Sequence, residues 1–235
     1  MPMMNAGARR KTVAGGLGAL LFAGIMGALP AVYAVDKAGE VVTLTGKAQA
    51  ATSEGDIRNL QQGHPVNTGD TVVTATNSFM RMKLSDGSFI VLRPSTRFQI
   101  EDYKLSDNAN ESRGFFNLLK GGFRAVTGLI GQRNHAGIRY RTAVATIGIR
   151  GTDVEAIDCT DGCPDMGIKP KPGLYFKVHQ GSIDVTGLQG GRLGFEQGMG
   201  GFVDQRGGPP TNVTLGSGNP VTHDPTPAAN PQDCQ

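Results

Sequence analysis

The chain has 235 residues, with 23 basic and 20 acidic side chains, a formal charge of +3, 35 glycines and no tryptophan. This length bounds one or two domains with a sizeable core, and the abundant glycine with few aromatics excludes long helices in favour of short strands and turns. Arg9, Arg10 and Lys11 are the only charged residues before Asp36; without them 20 basic face 20 acidic side chains, and bulk charge gives no ground for a nucleic-acid partner.

Residues 1–34 read as a secretory signal peptide. A basic n-region, Arg9-Arg10-Lys11, precedes the apolar run Val13 to Pro30, and Ala31-Val32-Tyr33-Ala34 places short residues where a signal peptidase cuts. The expected product starts at Val35, is periplasmic or secreted, and has no membrane span after cleavage. From Glu40 the pattern becomes period two: Val41 to Thr45, a break at Gly46, then Lys47 to Ala50 read as two strands. Thr68-Gly69-Asp70 is a turn that leads into Val72 and Val73. Phe79 to Leu84 alternates apolar with charged residues, Asp86-Gly87 signals a tight hairpin, and Phe89 to Leu92 returns. Pro94 marks an edge or corner, because it cannot donate to a ladder.

Phe115 to Leu119 and Phe123 to Val126 flank Lys120-Gly121-Gly122. A helix from Glu111 to Lys120 fits the apolar spacing, but the glycine pair ends it at once, so two strands are expected. In the stretch from Thr142 to Glu155, Val144, Ile147, Ile149 and Val154 favour strands, and Gly148 and Gly151 permit a bulge or close approach. Two strands meeting at a tight corner are expected there. Arg150 sits inside it, with Asp153 near enough in sequence to satisfy its guanidinium; a structural corner is the first reading and a binding arginine the second. Tyr175 to Val185 alternates around Gln180-Gly181-Ser182, and Gly194 to Val203 makes a last, glycine-loosened pair. From Gly207 proline and glycine dominate and periodicity stops, so residues 35–206 form the expected β domain and 207–235 a disordered tail. The fold class is all-β: many short strands with glycine-rich corners, in a solenoid-like or sandwich arrangement.

Cys159 and Cys163 flank a turn dipeptide and are expected to close a small disulfide loop in an oxidising compartment, which leaves Cys234 over. No nucleophile elbow, Walker loop or zinc pair appears in the mature sequence, and no cofactor is expected. The four histidines are scattered, and Asp158, Asp161 and Asp165 lack the spacing of a calcium loop, so no metal site is assigned. Between Ser112 and Thr152 stand seven basic residues and no acid. A contiguous positive face there would attract an anionic partner. Arg124, Arg139 and Arg141 are the candidate partner-binding residues, the last two sharing a face under period two.

Leu60 to Gly63, Asn67 to Asp70, Leu84 to Ser88, Leu119 to Arg124, Thr146 to Asp153 and Val178 to Ile183, taken in that order, resemble the FecR domain over roughly Val41 to Val203. Gly148, Arg150, Gly151 and Asp153 belong to its most specific string. The resemblance implies an all-β extracytoplasmic module, and its relatives in iron uptake carry an inner-membrane helix, control a sigma factor and sense an outer-membrane receptor. Met1 to Ala8 leave no room for their cytoplasmic segment, so what carries over is the β module and protein contact. The expected function is non-enzymatic: an exported module that binds a protein partner in the bacterial cell envelope, with signalling in nutrient or iron uptake as the implied setting. The alternative is an anionic envelope polymer bound through 112–152.

Overall fold

The computed structural model describes residues 36–163, 168–216 and 219–222. The expected signal peptide and Cys234 lie outside them. Strands are β1 (Lys37–Thr45), β2 (Ala48–Ala51), β3 (Ile57–Asn59), β4 (Pro65–Asn67), β5 (Thr71–Thr74), β6 (Phe79–Leu84), β7 (Phe89–Leu92) and β8 (Arg97–Lys104). They continue as β9 (Arg113–Val126), β10 (Ile138–Arg141), β11 (Ala145–Asp158), β12 (Gly173–Gly187), β13 (Arg192–Glu196), β14 (Gly200–Asp204) and β15 (Thr211–Val213). One five-residue helix, α1 (Leu129–Arg133), links β9 to β10. The all-β expectation holds: the strands form one large mixed sheet that does not close into a barrel.

The sheet folds over into two layers. In the first the pairing runs β3-β2-β5-β8, then the first half of β9, β10, the first half of β11, the second half of β12 and β13. In the second it runs β4-β1-β6-β7, then the second halves of β9 and β11, the first half of β12, β14 and β15. Three long strands therefore belong to both layers. Where two strands around a turn are expected at Gly121, Gly151 and Gly181, the chain instead bends within single strands of 14, 14 and 15 residues. A positive-φ glycine serves a bulge as well as a turn, and the choice depends on which neighbours the two arms find.

Alternation puts the apolar side of each layer inward. Phe98 and Tyr140 of the first layer meet Phe123 of the second at ring distances of 5.5 and 4.6 Å, and Phe195 meets Phe176 edge-on at 4.7 Å. These rings, with Met80, Met82, Ile90, Leu92, Ile147 and Val154, form the core. A smaller cluster of Ile157, Cys159, Tyr175 and Val221 lies apart from it, with Phe202 and Leu215 packed against it.

That smaller cluster corrects the expected tail. Residues 207–216 and 219–222 are ordered: Thr211 to Val213 pair with β14, and Leu215 and Val221 supply apolar contacts. Leu215 and Val221, isolated among prolines, glycines and polar residues, have no periodicity, so they bury area without a sequence pattern. The Cys159–Cys163 disulfide is formed, with a Cα separation of 5.1 Å. No helix among the described residues is long and apolar enough to cross a membrane.

Candidate functional site

Two strings far apart in sequence, Asp86-Gly87-Ser88 and Gly151-Thr152-Asp153, meet at one corner of the folded sheet. Between them lies a groove of about 410 Å³ whose lining includes Lys83, Gly87, Leu129, Gln132, Thr152 and Gln180. Its walls are fixed from below. The Asp86 carboxylate is buried and accepts from the Ser88 amide at 3.0 Å, the Ser88 hydroxyl at 2.8 Å, the Tyr103 hydroxyl at 3.1 Å and the Ile130 amide at 3.2 Å. Burial, with the Asp86 charge added, pushes the Tyr103 hydroxyl far above its ordinary range, so it stays a neutral donor. The Gly128 amide donates to Ser88 Oγ at 2.8 Å and the Leu129 amide to the Asp86 carbonyl at 2.9 Å, which ties the start of α1 to the β6–β7 turn.

Across the groove β11 is bent at Gly151, with φ +63°, and β12 at Gly181, with φ +78°. Both conformations favour glycine. The Thr127 hydroxyl donates to the Thr152 carbonyl at 2.8 Å and accepts from the Thr152 amide at 3.2 Å, so the bend is pinned to the end of β9. Thr152 Oγ1 is buried and has no partner among the described residues. Gly148 behaves differently: a Cβ there would meet only the Asp184 carbonyl, at 3.8 Å, so neither bulge nor close approach requires glycine.

Arg150 is not the buried corner arginine the sequence suggests. Its side chain is 54 % exposed and reaches Asp184 across the strand at 2.8 Å, not Asp153. Asp153 instead takes both ends of Arg124, at 2.9 and 2.7 Å. The bulge accounts for the exchange of partners, because it separates Arg150 and Asp153 into different layers. Arg124 therefore does not join Arg139 and Arg141 on one surface; those two are exposed on β10 with Tyr140 buried between them. Arg139 lies 5.6 Å from the Phe115 ring, and Arg141 is 3.5 Å from Glu101.

Acids from neighbouring strands interrupt the basic segment: Asp102 pairs with Arg113, Asp153 with Arg124, Glu101 with Arg141 and Asp184 with Arg150. A run without acids in sequence is thus not a run without acids in space. Asp184 holds Arg192 as well, at 2.9 Å, and these two arginines keep its carboxyl below the ordinary range, Arg192 first.

A buried ion pair lies outside every motif of the sequence. Glu155 is 1 % exposed, pairs with Arg93, itself buried, and meets His179 Nε2 at 3.2 Å. The one signal was a single carboxylate in the apolar run Val154-Glu155-Ala156-Ile157. Beside the disulfide, Asp158 Oδ1 accepts from the Thr160 amide at 2.9 Å and hydroxyl at 2.7 Å, while Oδ2 is buried. Burial, with Asp161 adding, holds the Asp158 carboxyl above its ordinary range. No group of three or more metal-ligating side chains occurs among the described residues.

The folded sheet and its pinned corner define an all-β module with a groove at one corner. Residues 70–164 match the model of the FecR protein family. The match is narrower than the span expected from Val41 to Val203; it includes both corner strings and leaves out Gln180 and Gly181. Two crystal structures of a candidate anti-sigma factor from Parabacteroides distasonis ATCC 8503, at 2.50 and 1.65 Å resolution, are similar. They give TM-scores of 0.45 and 0.43 at 12 % identity, each over 61 % of this chain and 59 % of that one. The chain thus spans under two thirds of the length of those structures. No curated protein matches.

Proposed function

We propose that the chain is a non-enzymatic regulatory module, exported to the bacterial cell envelope, that contacts a protein partner through the corner groove. One observation carries the reading: two FecR-region strings, 65 residues apart by position, converge on a groove whose shape is held by the Asp86, Ser88 and Thr127 side chains. Such a corner presents a fixed surface and offers no paired nucleophile and base. Leu129, 41 % exposed at the rim, supplies the apolar contact a partner would cover. Signalling in nutrient or iron uptake is the setting that the FecR domain suggests.

A photo-crosslinking side chain at Leu129 or Gln132, compared in living cells with one at Ile57 outside the groove, tests this. One discrete protein adduct from the groove positions, absent from Ile57, is expected. No adduct from the groove, or the same adduct from Ile57, sinks the reading. The alternative, an anionic envelope polymer bound through 112–152, has less free positive charge to use, since four of the seven basic residues there sit against carboxylates.

A further inference from the structure

Four strands end the two layers, each paired on one side only among the described residues: β3, β4, β13 and β15. Three of them are three residues long, and β4 also begins with Pro65, both devices that blunt an edge. β13 has five residues, and all but Phe195 are exposed.

The antiparallel ladder fixes which backbone groups point outward from β13. The Gly187 amide donates to the Gly191 carbonyl at 3.1 Å, which starts the hydrogen-bonded pairs, and the Glu196 amide turns to Met199 Sδ rather than to β12. Leu193 and Phe195 therefore bond to β12, and the N–H and C=O of Arg192 and Gly194 face away. Two residues apart along an extended chain, they have the spacing of another peptide backbone, which a polysaccharide would not match.

The side chains say what kind of peptide fits. On the outer face Arg192 and Arg150 share the single carboxylate of Asp184, beside a groove of about 380 Å³ that also includes Gly194. Two guanidiniums on one carboxylate leave positive charge beside Arg192 for an added acid, while Glu196, exposed on the same face, also lines that groove. On the inner face Leu193 is 36 % exposed, and Leu188 in the preceding turn is 61 % exposed. We propose that the open edge of β13 takes up an extended peptide segment of alternating acidic and apolar residues as an additional strand of the sheet. Its acidic side chains meet Arg192 and Arg150, and the intervening apolar ones cover Leu193. This rests on the reading of the chain as a partner-binding module and names the surface and chemistry of one partner segment.

The probe is an end-blocked, fluorescein-labelled heptapeptide of alternating valine and glutamate, titrated against the purified protein by fluorescence anisotropy. Saturable binding is expected, weakened about tenfold or more by Arg192→Glu or by lysine in place of the peptide's glutamates. N-methylation of alternate peptide amides should abolish binding in one register and leave it in the other, a test that alters nothing in the protein. Gly194→Pro removes an outward amide and should lose binding. Gly194→Ala should keep it, because a Cβ there meets nothing nearer than Asp184 Oδ1 at 3.7 Å. No saturable binding, equal binding by Gly194→Pro, or equal effects of the two N-methyl registers overturns the inference. If the peptide fails while the groove adduct persists, this edge site alone is wrong; if the adduct fails while the peptide binds, the groove reading falls and the edge stands.

Discussion

The two arms of β11 treat charge in opposite ways. Before the bend, Arg150 leans over the surface to an aspartate it shares with Arg192; after it, Glu155 is sealed between Arg93 and His179. The arm with the recognisable motif holds the weaker electrostatics, and the arm without it holds the stronger. An exposed pair contributes little because water and salt screen it. A sealed pair is different: removing one partner strands the other in a low-dielectric interior. What the motif string specifies is backbone shape, at Gly151, more than charge, at Arg150.

Substitutions can break this comparison. Glu155→Ala leaves Arg93 buried without its carboxylate and should cost about 3–5 kcal/mol, read by chemical denaturation. A loss no greater than that of a surface residue would show the pair to be dispensable. Gly151→Val forces a branched residue into left-handed backbone and should cost about 1–3 kcal/mol. Gly148→Ala, where a Cβ makes only an ordinary contact with the Asp184 carbonyl at 3.8 Å, should stay within about 0.5 kcal/mol of the parent. Equal effects of these two would remove the distinction between the glycines.

Asp158 sharpens the picture through pH. Burial raises its folded pKa above the unfolded value, so the fold favours the protonated acid. Its stabilising contribution is complete below the ordinary carboxylate range and is lost as pH rises through the folded pKa. Asp158→Asn keeps the acceptor for Thr160 and removes the charge. Its melting temperature should therefore gain on the parent as pH is raised from acid toward neutral, and a constant or shrinking difference would contradict the burial argument. Arg150→Ala should also have a small effect, under about 1 kcal/mol, since Arg192 remains on Asp184. The buried-corner reading requires a larger loss.

Much of the fold was legible. Phe79 to Leu84 alternates inward and outward as the period predicts, and Asp86-Gly87 turns β6 into β7. The exposure of Arg139 and Arg141 around buried Tyr140 follows from the same period. Whether a glycine turns a chain back or bends it onward was not legible, because that depends on strands elsewhere that receive each arm. Gly181 and Gly151 have the local signature of a turn, yet they bend adjacent strands side by side. The partner of Arg150 was hidden for a related reason: proximity along the chain favoured Asp153, while proximity across the ladder selected Asp184. The corner groove needed both kinds of information, since its strings are readable singly and its assembly depends on the folded sheet.

Because β9, β11 and β12 each run through both layers, the layers share their hydrogen-bond ladders as well as their core. Detaching one face from the other would break backbone bonds along strands that both share. A load applied on one side is therefore passed along continuous chain to the opposite side. The domain is mechanically a single stiff plate creased once, and its slowest-exchanging amides should span the crease instead of sorting by layer.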